Sequence, residues 1–236
     1  MDGSSSAADV VVRDPLPDLD LRVLGSLSVV VDAVDLTPSA GKLRQLLALL
    51  LFSGPAGITP SMARCELWTE APDGWQITIR SYLSLLRSEL AVGGGLRASA
   101  HRMSLHGRHG RYRLEKPAGV LDLERYRTAV TSARARELDG DLDAAARWYD
   151  AALDVWRGDV LEDVACGSWL RAAISDLQHD HAAVLSDRID CHILLGRSRS
   201  VVGDLARLAL RRPSDERVVC PWMIALHETG QRARAL

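Results

Sequence analysis

The 236-residue chain has a single phenylalanine and only two lysines, Lys42 and Lys116, among its 29 basic residues. Its longest apolar stretch, around Leu46–Phe52, is far short of the roughly 20 residues that a membrane-spanning helix needs. The N-terminus, MDGSSSAADVVV, has neither a basic start nor an apolar segment long enough for a secretory signal. These absences predict a cytoplasmic protein with no membrane partner. Cysteine is equally thin: Cys65, Cys166, Cys191 and Cys220 lie far apart, with no C-x-x-C and no Cys/His ladder. They read as reduced, mostly buried thiols, and a zinc site is not expected. The near-absence of lysine fits the codon bias of a GC-rich genome.

Catalytic patterns are missing too. Gly41-Lys42 fails as a P-loop because Leu36 and Leu43 stand where glycine and Ser/Thr are required. Gly93-Gly94-Gly95 has no preceding strand and the wrong spacing for a dinucleotide site. His179-Asp180-His181 is the densest ligand cluster, but residues two apart on a helix point about 200° from each other. No G-x-S-x-G, H-E-x-x-H or H-x-E…C-x-x-C occurs. The expectation is therefore no enzyme, no catalytic residue, no metal and no cofactor.

What is present is ordinary for a globular protein, 47% hydrophobic and 25% charged. The net charge of −2 conceals an uneven spread: −4 over residues 1–20, +5 over 21–116 and −3 over 117–236. A basic segment ahead of an acidic one suggests that one half meets a polyanion, although +5 on about a hundred residues is also common on surfaces that bind nothing.

Residues 1–20, rich in Ser, Asp and Pro, read as a disordered leader. Residues 21–36 alternate apolar and polar around Gly25 and Asp32-Ala33, predicting two or three strands in a meander. The period then changes. Leu43, Leu46, Leu47, Leu50 and Leu51 predict a helix over 40–53, ended by Gly54-Pro55-Ala56-Gly57. Thr59-Pro60 supplies an N-cap and a proline for a short helix reaching Trp68.

After Pro72-Asp73-Gly74 comes a helix with Ile79, Leu83, Leu86 and Leu90 on one face and Arg80, Ser81, Ser84, Arg87 and Ser88 on the other. Met103 to Leu105 and Tyr112 to Leu114 then alternate on either side of His106-Gly107-Arg108-His109-Gly110, a hairpin pattern. Strands, three helices and a basic hairpin follow the order of a winged helix. Such a helix can enter a major groove while the hairpin reaches phosphate or a narrow minor groove. On pattern alone, an amphipathic surface helix and an arginine-protected strand edge explain the same residues.

Beyond Lys116-Pro117-Ala118-Gly119, which reads as a linker, helices take over. Leu138-Asp139-Gly140-Asp141, Leu194-Leu195-Gly196-Arg197 and Glu228-Thr229-Gly230-Gln231 are similar breaks. The last two glycines are 34 residues apart, the tetratricopeptide (TPR) period, and the first pair 56, which is that period plus 22. Stacked helical hairpins, a protein-binding solenoid, are expected from about residue 120; a helical bundle with coincidental glycine spacing stays open.

Several of these stretches resemble a known family. Lys42-Leu43-Arg44-Gln45-Leu46-Leu47-Ala48-Leu49-Leu50-Leu51, then Leu67-Trp68, Pro72 and Ser81 to Leu90, look like the OmpR-type winged helix of SARP proteins, activators of antibiotic and other secondary-metabolite gene clusters. Gly110-Arg111-Tyr112-Arg113-Leu114 resembles their wing strand. Asp122 to Tyr126, Ala151-Ala152-Leu153 with Trp156-Arg157-Gly158, Ala225-Leu226 with Gly230-Gln231, and Ala235-Leu236 resemble their bacterial transcriptional activator domain.

The resemblance implies an α+β winged-helix DNA-binding domain over 21–116 and an all-α, TPR-like activator domain over 120–236, incomplete at the C-terminus. It implies promoter direct repeats and RNA polymerase holoenzyme as partners, with a second protomer on the DNA. Carried over by residue, it puts recognition-helix contacts on Arg80, Ser81, Ser84 and Arg87, and wing contacts on Arg108, His109 and Arg111. Leu85, where the family tends to carry a basic residue, and Asp73, in place of a second proline, depart from the pattern. The alternative is a TPR-type interaction adaptor with a weakened winged helix. On the first reading, a chain ending near Lys116 still binds DNA but cannot activate.

Overall fold

The computed structural model describes residues 19–92, 103–211, 222–227 and 230. The expectations for residues 1–18, for the triple glycine 93–95, for Cys220 and for 231–236 lie outside them.

The chain is mixed α+β, with small antiparallel sheets toward its N-terminus and helices thereafter. Strands β1 (Leu19–Arg22), β2 (Ser28–Val31) and β3 (Val34–Asp35) form the expected meander. β2 and β3 are joined by Asp32-Ala33, both at positive φ (49° and 64°), the two-residue turn whose twist suits a hairpin. β1 begins two residues inside the stretch expected as a disordered leader. Leu19 and Asp20 are buried, and Asp20 pairs with Arg22 and, at 3.0 Å, with Arg125.

Helix α1 (Gly41–Ser53) buries every residue from Gln45 to Phe52, so it is a core helix rather than a one-sided surface one. A single 3-10 turn over Gly54–Ala56 follows it. Helix α2 (Pro60–Leu67) opens as its sequence dictates: Thr59 Oγ1 accepts from the Met62 amide at 3.1 Å, satisfying a donor that the helix cannot. Helix α3 (Trp75–Val92) buries Ile79, Leu83 and Leu86.

Strands β4 (Ser104–Arg108) and β5 (Arg111–Glu115) pair from Ser104↔Glu115 to Arg108↔Arg111. The loop is thus only His109-Gly110, at φ 50° and 71°, a shorter tip than the sequence suggested. The hairpin is fixed to the body where Ile58 and Tyr112 exchange both backbone hydrogen bonds at 2.8 Å. Gly57 is required at this junction, since a Cβ there would sit 2.5 Å from the Tyr112 carbonyl oxygen.

Helices α4 (Asp122–Leu138) and α5 (Leu142–Asp154) form a hairpin, and α6 (Ser168–Leu194), 27 residues long, packs along α5. The 22 extra residues between Gly140 and Gly196 are absorbed by the 155–167 loop and the length of α6. Gly140 and Gly196 share one C-terminal device: each is left-handed (φ 79° and 69°), and the amide of the next residue, Asp141 or Arg197, returns to a carbonyl of the last helical turn. Gly230 is left-handed as well, at φ 80°. α7 (Val202–Arg211) and the helical residues 222–227 pack on the end of α6 through Ile189, Val201, Leu205 and Ala225.

The linker expectation fails on contact chemistry. Residues from Leu19 to Cys191 bury into one continuous apolar cluster that includes α1, β1, α4, α5 and α6. The Leu21 amide donates to Val120 O at 2.9 Å. Buried Asp122 accepts from the amides of Val23 and Leu24 at 2.9 Å, although burial raises its carboxyl pKa. The Arg157 amide donates to Leu24 O at 2.9 Å, and that of Leu161 to Gly25 O at 2.8 Å. Arg44 and the Leu27 amide both reach Asp163. The two halves share a core.

Candidate nucleic-acid interface

α3 sets one face of the site. Its apolar residues dock on α1 and α2, so the opposite side turns to solvent: Arg80, Ser81, Ser84, Arg87 and Ser88 are all exposed. Ile77, 69% exposed, and Leu85, 51% exposed, lie among them. The one acid of α3, Glu89, is half-buried; it lies about 120° around the helix from Ile77 and about 80° from Ser81, one turn beyond Leu85.

The hairpin sets the other. Arg108, His109, Arg111 and Arg113 are exposed. Its one acid, Glu115, sits at the end remote from the tip, 3.3 Å from His106. The expected residues are not equivalent. Arg87 directs its Nε to Leu105 O at 2.8 Å and so ties α3 to β4. Arg111 Nη1 lies 3.3 Å and 3.5 Å from Ala56 O and Gly57 O, bracing the tip against the 3-10 turn. The guanidinium groups of Arg80 and Arg108, by contrast, make no hydrogen bond or ion pair with any other described residue.

Sequence pattern missed the tethering role of Arg87, for which a carbonyl partner leaves no signal. It missed Ile77 as well, although an isoleucine in the first turn of a helix, on the face opposite Ile79, Leu83 and Leu86, was readable as exposed.

The set-aside cluster is structural. Asp180 accepts from Tyr126 Oη at 2.9 Å and from Arg134 at 3.3 Å. His181 rests on the Trp156 ring, centroids 4.0 Å apart. Among the described residues, no group of three or more His, Cys, Asp or Glu could hold a metal ion, and no helix is long and apolar enough to cross a membrane. Cys65 is exposed, contrary to expectation, whereas buried Cys191 is pushed up to about 11 by its surroundings.

Residues 121–236 match the bacterial transcriptional activator domain. The chain is 30% identical over 221 residues to the regulatory protein DnrI of Streptomyces peucetius, covering 92% of this chain and 81% of that one. It is 27% identical over 219 residues to the transcriptional regulatory protein EmbR of Mycobacterium tuberculosis, of which it spans 55%. A solved structure of Mycobacterium tuberculosis EmbR in complex with a low-affinity phosphopeptide superposes with a TM-score of 0.79 at 25% identity, over 92% of this chain and 57% of that one. The protein is a transcriptional regulator. It belongs to the SARP family.

Proposed function

We propose that the chain is a sequence-specific DNA-binding transcriptional activator in which residues 21–116 act as an OmpR-type winged helix and 120–236 as a TPR-like activating part, built on the shared core. The observation that carries this reading is the pairing of surfaces: an acid-free, serine-lined face of α3 bound through Arg87 to a hairpin bearing three exposed arginines. α3 enters the major groove, where Arg80, Ser81 and Ser84 read base edges. Arg108, His109 and Arg111 hold the adjacent backbone. Arg87 contributes charge there while it sets the angle between the two elements.

Family membership supports control of an antibiotic or other secondary-metabolite cluster, binding to promoter direct repeats by two protomers, and recruitment of RNA polymerase holoenzyme. Footprinting of the purified protein on the upstream regions of neighbouring genes, followed by transcription with purified holoenzyme, tests each step. Repeated footprints with increased transcript are expected. Absence of any footprint favours the interaction adaptor, a reading that the exposed apolar Leu85 on this face also suits.

A further inference from the structure

We infer that Ile77 and Leu85 are specificity-determining residues of α3 that read thymine 5-methyl groups, so that the recognised sequence carries two thymines at a spacing fixed by the helix; this rests on the DNA-binding reading above.

Burial along α3 is anomalous. Before residue 121 the exposed large apolar side chains among the described residues are Val34, Ile77 and Leu85, and two of these three lie on α3. They are not spill-over from its buried face. Successive helical residues advance by about 100°, which places Ile77, Ser81, Ser84 and Ser88 in one stripe opposite Ile79, Leu83 and Leu86. Leu85 flanks this stripe on one side, and Arg80 and Arg87 flank it on the other.

Helix propensity does not account for Ile77, and although leucine is a good helix former it does not require an exposed apolar side chain at Leu85. Isoleucine is a poorer helix former than alanine, and Ile77 sits in the first turn, 69% exposed. Leu85 also lies outside the buried clusters and their packed neighbours.

The surroundings say what covers them. Serines at 81, 84 and 88 are small enough to let the helix axis come close to a surface, and their hydroxyls accept or donate as required. Arginines on the adjoining flank and on the tethered hairpin complement a polyanion. A polyanionic surface that also offers isolated apolar groups in a groove wide enough for a helix is the major groove. Its apolar feature is the thymine methyl.

The N-terminal residues of a recognition helix penetrate furthest, which suits Ile77. Leu85, eight residues on, lies about 12 Å further along the axis. At about 3.4 Å per base pair this sets the two methyls roughly three to four base pairs apart.

Deoxyuridine removes only the methyl and keeps the pairing edge, so the inference can be tested one atom group at a time. Duplexes are first enriched from a random library by the full-length protein, and each thymine in the enriched site is then replaced by deoxyuridine. Two replacements, three to four base pairs apart, are expected to weaken binding by about fourfold each, the size expected for one buried methyl. Ile77→Ala removes the sensitivity at one of these positions and Leu85→Ala at the other. Each variant is expected to bind the corresponding uracil duplex as the unaltered protein does.

Both side chains are exposed, so circular dichroism should show both variants folded. Uniform insensitivity of the unaltered protein to deoxyuridine overturns the inference and leaves DNA binding standing. So does sensitivity that survives in both variants. Failure to enrich any duplex overturns the DNA-binding reading itself, and this inference with it.

Discussion

The carboxylate of Glu66, near the end of α2, accepts a hydrogen bond from the amide of Leu170, 3.2 Å away and 104 residues further along the chain. The same side chain accepts from Gly167 and, at 3.1 Å, from Trp169, so it caps α6 from another part of the fold. Glu66 is almost wholly buried, and Gln45 holds its backbone carbonyl at 2.6 Å. A carboxylate at a helix N-terminus is favoured both by the free amides and by the helix dipole. Glu66→Ala leaves these amides without a partner in a buried joint and should lower stability by about 3 kcal/mol. Glu66→Gln keeps one acceptor and should lower it by less. Urea unfolding at pH 7 measures both; a loss below about 1 kcal/mol for the alanine variant would show that the cap is dispensable.

The approach at that joint is close enough to exclude a side chain. A Cβ on Gly167 would lie 2.4 Å from Glu66 O and 2.7 Å from its carboxyl carbon. Gly167→Ala should therefore destabilise by about 1–3 kcal/mol through overpacking, although alanine fits the local φ of −81°. Its combination with Glu66→Ala should be somewhat less than additive, because the second change removes the carboxyl group that the new Cβ meets, while the clash with the Glu66 backbone oxygen remains.

The shared core revises the expectation for a chain ending near Lys116. Such a chain loses Val120, which receives the Leu21 amide, Asp122, which caps Val23 and Leu24, and the segment around Leu161 that completes the loop after β1. It also exposes the face of α1 that packs on α6. We expect it to be insoluble or molten, without the heat-absorption peak of the full chain. In the full chain, tryptophan fluorescence and far-ultraviolet circular dichroism should lose signal at one urea midpoint. A truncated chain that unfolds cooperatively would restore the picture of two separable halves.

Local signals were the readable ones. Thr59-Pro60 announced α2, and left-handed glycines at 140, 196 and 230 marked the helix ends that the sequence pattern located. The order of strands, helices and hairpin was readable for the same reason: each element carries its own periodicity. What ties the halves together was not, because Asp122, Asp163 and Glu66 act on amides about a hundred residues away or more. A carboxylate aimed at backbone leaves no complementary side chain to find. The Trp-Arg-Gly motif, read only as a family mark, acquires a physical role here: Trp156 packs edge-on to Tyr126, and Arg157 holds Leu24 O and Ser26 O. In the candidate interface, the exposure of Arg80, Ser81 and Ser84 followed from helical spacing, whereas the tether of Arg87 to β4 did not.

Acid should loosen the packing of α6 on Trp156 through His181. Burial beside Trp156 holds its imidazole pKa below the ordinary 6.5, with neighbouring Asp180 opposing the shift. The unfolded chain therefore takes up this proton before the folded one does. The stability linked to His181 is complete above about pH 6.5 and is lost as pH falls through the folded value, at no more than about 1.4 kcal/mol per pH unit. His181→Phe keeps a ring against Trp156 and removes the titration. Its urea midpoint should vary less than that of the unaltered protein between pH 7 and 5. Equal slopes would show that the proton is taken up elsewhere.

Base reading and phosphate holding should separate between Arg80 and Arg108. Both are exposed and neither has a side-chain hydrogen bond or ion pair with another described residue, so neither substitution breaks such a contact among the described residues. Arg80 lies early in α3 beside Ser81 and Ser84, at the end of a recognition helix that reaches base edges. A bidentate contact from arginine to guanine gives about 1–3 kcal/mol of discrimination, whereas a phosphate contact adds affinity to every sequence alike. Arg80→Ala should lower the ratio of selected-site to random-duplex affinity about tenfold or more. Arg108 belongs to the last strand pair before the tip, where the two-residue turn at His109-Gly110 presents it to a backbone. Arg108→Ala should weaken both duplexes equally and reduce the salt slope by about one. Arg111, braced on Ala56 O and Gly57 O, should show a smaller salt effect than Arg108 and some loss of thermal stability besides. Titrations at 50 to 200 mM salt with both duplexes resolve these outcomes. If Arg108→Ala alters the ratio while Arg80→Ala alters only the salt slope, then the hairpin reads the sequence and α3 holds the backbone.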